Sequence, residues 1–155
     1  GLKPRIDYMG RVVKAGKKNP ESAAGVTEMF NEWGYDKRDK MIASFGIDFP
    51  LWNRSQKKLY FNDRPISDEK YYDFQKQANT NFGQYMRYYV NNLRVVSDPK
   101  QSMSNKRFRG IIIKELHSLA NKKAMSSMFI TGENKEIISP EQIEKELSKI
   151  DEFFK

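Results

Sequence analysis

Through the middle of the chain the apolar residues fall three or four positions apart. Phe74, Ala78, Phe82, Tyr85, Met86, Tyr89 and Leu93 form one such run, the recurrence of an amphipathic helix with a 3.6-residue period. Tyr71, Tyr72 and Tyr88 widen its face. Ser67 is the expected N-cap, and Asp68 and Glu69 behind it complement the positive helix end. Gly83 interrupts the run at a cost of about 1 kcal/mol against alanine in an exposed helix interior, so the close approach of another segment is expected there. Ser97-Asp98-Pro99 breaks the helix. Ile112, Leu116, Leu119, Ala120, Ala124 and Met128 then mark a second long one, with Ser104 as its expected cap and Gly132 beyond its end.

Shorter elements flank this pair. Asn19-Pro20 reads as an N-cap followed by proline at the first helical position. Val26, Met29, Phe30 and Trp33 supply an apolar face, and Gly34 stands where a terminating glycine belongs. A short helix over about residues 36–45 should end at Gly46 by the same logic. Residues 58–66 suggest a small hairpin turning at Asn62-Asp63. Ser139-Pro140-Glu141-Gln142 has the pattern of a capping box, and Ile143, Leu147, Ile150, Phe153 and Phe154 form the apolar side of the helix it opens. The fold expected is mainly α: an irregular bundle of four to five helices, a small β-hairpin near 58–66, and a basic, extended arm over residues 1–19. Residues 20–155 make a single helical domain.

Composition narrows the class. A chain of 155 residues with 38% hydrophobic residues and a mean hydropathy of -0.80 is polar for a self-sufficient globule, so a thin core, completed by a partner, is expected. Aromatic residues at 13% argue against wholesale disorder. The net charge of +8 is unevenly spread, with 11 Lys/Arg against 5 Asp/Glu in residues 65–129 and 4 against 7 in residues 130–155. A basic body suits nucleic acid or an anionic surface as well as a solvated lysine-rich exterior. Without cysteine there are no disulfides, thiol nucleophiles or cysteine-ligated zinc sites. No apolar run approaches the roughly 20 residues of a membrane span, and the opening residues lack the apolar core of a signal peptide. The chain opens on Gly1, which reads as a start inside a larger polypeptide.

Candidate chemistry is sparse. His117 is the single histidine, and its position between Leu116 and Leu119 suits the border of a core better than a triad, since no G-x-S-x-G accompanies it. Asp36 with Asp39, and Asp68 with Glu69 and Asp73, are close enough in sequence to hold magnesium, but acids in a first helical turn are ordinarily dipole complements. The glycines of residues 10–16 lack the G-K-[ST] ending of a phosphate loop. No catalytic residue, metal or cofactor is assigned. Two sets stand out as binding surfaces. Arg94, Lys100, Lys106, Arg107 and Arg109 cluster about one loop and one helix start, where cations and free N–H groups suit phosphate. Tyr85, Tyr88 and Tyr89 form an aromatic face suited to a partner, or to base stacking.

The run Ile66-Ser67-Asp68-Glu69-Lys70-Tyr71-Tyr72-Asp73-Phe74, followed by a helix, a polar turn and Leu119-Ala120-Asn121-Lys122-Lys123-Ala124, resembles segments of very large tailed-phage and prophage virion proteins, the internal, ejected or polyvalent class. The resemblance covers residues 66–128, and Gly46-Ile47-Asp48-Phe49-Pro50 upstream fits the same setting. It implies a non-enzymatic virion component, packaged inside the capsid as internal or cargo protein or associated with the tail, matured by proteolysis and ejected with DNA. Its partners would be other virion proteins, copies of itself, and DNA through non-specific phosphate contacts. No small-molecule substrate is implied. The alternative is a small basic helical nucleic-acid-binding accessory protein in the cytoplasm, and a magnesium-dependent nuclease is the remaining enzyme rival.

Overall fold

The computed structural model describes residues 6–12, 34–47, 60–61, 64–95, 103–128 and 139–154. Four helices lie within them: α1 (Lys37–Ser44), α2 (Asp68–Val95), α3 (Met103–Met128) and α4 (Pro140–Phe153). A two-stranded antiparallel hairpin, β1 (Tyr60–Phe61) and β2 (Arg64–Pro65), precedes α2, with Tyr60 opposite Pro65 and Phe61 opposite Arg64. The chain is mainly helical and bundled, as its periodicity requires. The amphipathic run expected after Pro20, the Ser97-Asp98-Pro99 break, Lys100 and Gly132 lie outside the described residues.

α2 and α3 form an antiparallel helical hairpin that is the body of the molecule. Asn81 donates to the Ala120 carbonyl across it at 3.2 Å, and the Phe82 and His117 rings meet edge to face with centres 5.0 Å apart. All seven residues of the first apolar run are buried, and Ile112, Leu116, Leu119, Ala120 and Ala124 are buried opposite them. Ile42 of α1 and Ile150 of α4 close the same core. A smaller cluster of Phe74, Ala78 and Ala124 fills the far end, backed by Ile66, Tyr71 and Met128.

The helix ends differ in detail from expectation. α1 has a reciprocal capping box: the Asp36 carboxylate accepts from the Asp39 amide at 3.1 Å, and the Asp39 carboxylate accepts from the Asp36 amide at 2.9 Å. At α4 only half of the expected box forms. Ser139 Oγ accepts from the Gln142 amide, while the Gln142 side chain turns away to donate to Glu146 at 3.2 Å. That i, i+4 alternative is open to glutamine because its amide reaches along the helix as readily as back to the cap. α3 begins at Met103, so Ser104 lies in its first turn instead of capping it. Gly34 and Gly46 have φ of 71° and 86°, the left-handed conformation in which glycine avoids a Cβ clash.

The largest difference is at the N-terminal side. In place of an extended arm, residues 6–12 form a tight turn sunk against α2. Ile6 and Tyr8 are fully buried and Asp7 nearly so, and Ile6 and Val12 form an antiparallel bridge. The Asp7 carboxylate organises the turn, accepting from the Met9 and Arg11 amides at 2.9 and 2.8 Å. An aspartate side chain that captures backbone N–H groups in this way holds a turn without a neighbouring strand. The turn reaches α2 at Gly83. A Cβ there would stand 2.9 Å from Met9 Cα and 3.0 Å from the Tyr8 carbonyl, so the glycine is explained by backbone packed on backbone. Asn79 donates to the Asp7 carbonyl at 3.0 Å and Thr80 to that of Met9 at 3.2 Å.

Candidate binding site between two helices

Two sides of α2 carry tyrosine–aspartate pairs. On the first, Tyr8 donates its hydroxyl to the buried Asp39, and Tyr35 donates to Asp7 at 2.8 Å. Arg87 bridges both acids of the α1 cap, at 2.7 Å to Asp39 and 2.8 Å to Asp36. Arg11 pairs with Asp7 at 2.9 Å and lies over the Tyr35 ring at 4.4 Å. Hydrogen bonding to Arg87 holds the Asp36 carboxyl well below the usual carboxylate range. Burial, and then the facing aspartates, push both tyrosine hydroxyls far above the usual phenol range. These acids, cations and phenols satisfy one another, so this side is a structural lock. The Asp36 and Asp39 carboxylates, candidate magnesium ligands by their spacing, are engaged in it. Among the described residues no three histidine, aspartate or glutamate side chains converge as a metal site.

The other side of α2 faces α4, and there a pocket of about 290 Å³ opens. Its walls are Tyr85, Tyr88 and Tyr89 from α2 and Glu144, Leu147 and Asp151 from α4, with Gln84 at one edge. The structure brings together the three tyrosines of the expected partner face, but in unlike roles. Tyr85 and Tyr89 are buried, whereas Tyr88 is 71% exposed. The Tyr88 ring stands edge-on to that of Tyr89 at 4.8 Å. Tyr89 donates to Asp151 at 2.6 Å, and burial followed by that bond raises its pKa. The Tyr85 hydroxyl is buried without a hydrogen-bond partner among the described residues, and burial, then the charge of Glu144, raises its pKa. The Tyr85 and Tyr89 phenols are therefore held in their neutral form, and the formal charges among the lining residues are the carboxylates of Glu144 and Asp151.

The sequence marks Leu147 as part of an apolar helix face, but it does not mark Glu144 and Asp151 as lining a pocket with it. The signal was present in the spacing of Glu144, Leu147 and Asp151, which at i, i+3, i+7 share one helix face. Which element that face meets was not encoded there.

The basic cluster is only partly assembled. Because α2 and α3 run antiparallel, Arg94 near the end of one and Lys106 and Arg107 near the start of the other come to the same end of the hairpin, all exposed. Arg109 departs from the group: it is half-buried, with its guanidinium 4.9 Å from the Phe45 ring centre, a stacking that uses its planar cation. No helix within the described residues is long and apolar enough to cross a membrane. Comparison with protein-family models, with curated proteins and with solved structures found no match to this chain.

Proposed function

We propose that this chain is a non-enzymatic component of a tailed-phage particle, an internal, cargo or tail-associated protein that works by packing its helical hairpin against neighbouring subunits. The observation that carries this reading is the coincidence of the resembling stretch with one structural unit. Residues 66–128 span the whole of α2 and α3, the hairpin on which every other described helix packs. The resemblance therefore falls on a stretch that is coherent as a packing element. Large apolar side chains left exposed on three helices, Tyr88, Ile111 and Phe153, supply surface of the kind that subunit contacts cover. The test is sedimentation of large particles from source cells, with identification of this chain by mass spectrometry before and after a high-salt wash. Stoichiometric, salt-resistant retention supports the reading; recovery only in the soluble fraction overturns it.

The second reading, a nucleic-acid-binding accessory protein, is favoured by the exposed Arg94, Lys106 and Arg107 at one end of the hairpin. Cations grouped there would grip phosphate without reading sequence. Replacing all three by glutamine should then weaken DNA binding and flatten its dependence on salt. Unchanged binding removes this reading.

A further inference from the structure

We infer that the pocket between α2 and α4 is a binding site for an organic cation, the ammonium or guanidinium group of a lysine or arginine side chain on a partner polypeptide. This goes beyond the particle reading and stands on the pocket alone. Three properties select the ligand. The walls include two aromatic rings set edge to face, Tyr88 and Tyr89 at 4.8 Å, and the negative face of such a ring attracts a cation within about 6 Å of its centre. Two carboxylates, Glu144 and Asp151, line the same pocket. Asp151 is turned into place by the Tyr89 hydroxyl at 2.6 Å, and no ion pair to either acid occurs among the described residues, in contrast to the Arg87 and Arg11 pairs on the opposite side of α2. An anion would meet two like charges and no cation among the lining residues. A neutral apolar ligand would leave the carboxylates to be desolvated without compensation.

Size favours a side chain over a free metabolite. A volume of about 290 Å³ lies at the lower limit of pockets that enclose drug-sized ligands and suits an alkyl stem with a charged head. Leu147 offers the stem an apolar contact, and the buried Tyr85 hydroxyl has an unspent acceptor. Gln84 at the edge has an amide that can pair with a peptide backbone. Lys123 lies 5.9 Å from the Tyr85 ring centre, at the outer limit of cation–π attraction, and is not among the lining residues.

The test is an NMR titration of the full chain at constant ionic strength. The probes are n-butylguanidinium, n-butylammonium, n-butanol, and the blocked tripeptide acetyl-Gly-Arg-Gly-amide. Saturable shifts confined to tyrosine and α4 signals are expected with the two cations and not with butanol, and the tripeptide should bind more tightly than free butylguanidinium. Glu144→Gln and Tyr88→Ala change exposed residues and leave the fold intact by circular dichroism. Each should weaken cation binding by about two- to fivefold, the range of one exposed cation–π or charge contact. Equal binding of butanol, or cation affinity unchanged in both variants, overturns the cation site. Tighter binding of free butylguanidinium than of the tripeptide overturns the partner side chain as its occupant. None of these outcomes depends on whether the chain is recovered in particles.

Discussion

α2 presents two tyrosine–aspartate sites, and they differ in one respect that decides their use. Toward residues 6–12 and α1, the carboxylates of Asp7, Asp36 and Asp39 each meet an arginine as well as other donors. Toward α4, Asp151 receives a tyrosine hydroxyl and Glu144 lines the same opening, with no guanidinium drawn in among the described residues. The same pair of residue types is a lock where a cation completes it and a receptor where the cation is missing. A buried acid without its cation is strongly destabilising, whereas an acid at the mouth of a pocket keeps its hydration until a ligand arrives.

The contrast can be broken most forcefully at the lock. Arg87→Met leaves the buried Asp39 without its counter-ion and should lower stability by about 3–4 kcal/mol, measured as a fall in the urea midpoint. Gly83→Val drives a side chain into the backbone of Met9 and Tyr8 and should lower stability by about 2–3 kcal/mol, with new protease sensitivity in residues 6–12 as the signature of a displaced turn. Arg87→Met serving as well as wild type, or Gly83→Val leaving the turn protected, would show that this side of α2 is not a lock.

Proton linkage sharpens the comparison at both ends of the pH scale. The Asp36 carboxyl titrates below its usual range when folded, so its contribution is present above that range and is lost as pH falls through its folded value. Asp36 is partly exposed, so the effect is modest, and it should shrink in Arg87→Met. Tyr8, Tyr35 and Tyr89 titrate above the usual phenol range when folded. Their contribution is present below about pH 10, where an unfolded tyrosine begins to ionise, and is lost as pH rises beyond it. Alkaline unfolding followed by tyrosinate absorbance should therefore be cooperative with loss of helix. Tyr8→Phe removes the donor to Asp39 and should cost about 1–2 kcal/mol. Tyr89→Phe, on the open side, should cost about 1 kcal/mol or less, because Asp151 is half-buried and regains water.

The smallest expected effect separates the two helix caps. Ser139→Ala should destabilise by about 1 kcal/mol through loss of the cap, while Gln142→Ala should be near neutral, since its side chain makes no reciprocal bond to the cap. Asp39→Ala should exceed both, because Asp39 serves the α1 cap, Tyr8 and Arg87 together. Equal effects at Gln142 and Ser139 in thermal melts would restore the full capping box at α4.

Along α2 and α3 the sequence determined nearly everything that periodicity can carry. Burial of residues 74–93 on one stripe and a second long helix over Met103–Met128 follow from apolar spacing, which acts within a few residues of itself. Gly83 also announced a close neighbour, since a glycine inside a long helix needs a reason. Only the tertiary structure identified that neighbour as the turn of residues 6–12, because a turn made by one aspartate capturing backbone amides has no apolar period to read. Arg109 was legible as a cation and not as a cap on Phe45, and Tyr88 fell outside the core although its spacing suited the face. Asp36, Asp39, Glu144 and Asp151 were all visible as acids. Whether each meets an arginine or an open pocket depends on segments tens of residues away along the chain, and charge pairing at that separation is set by packing, not by spacing.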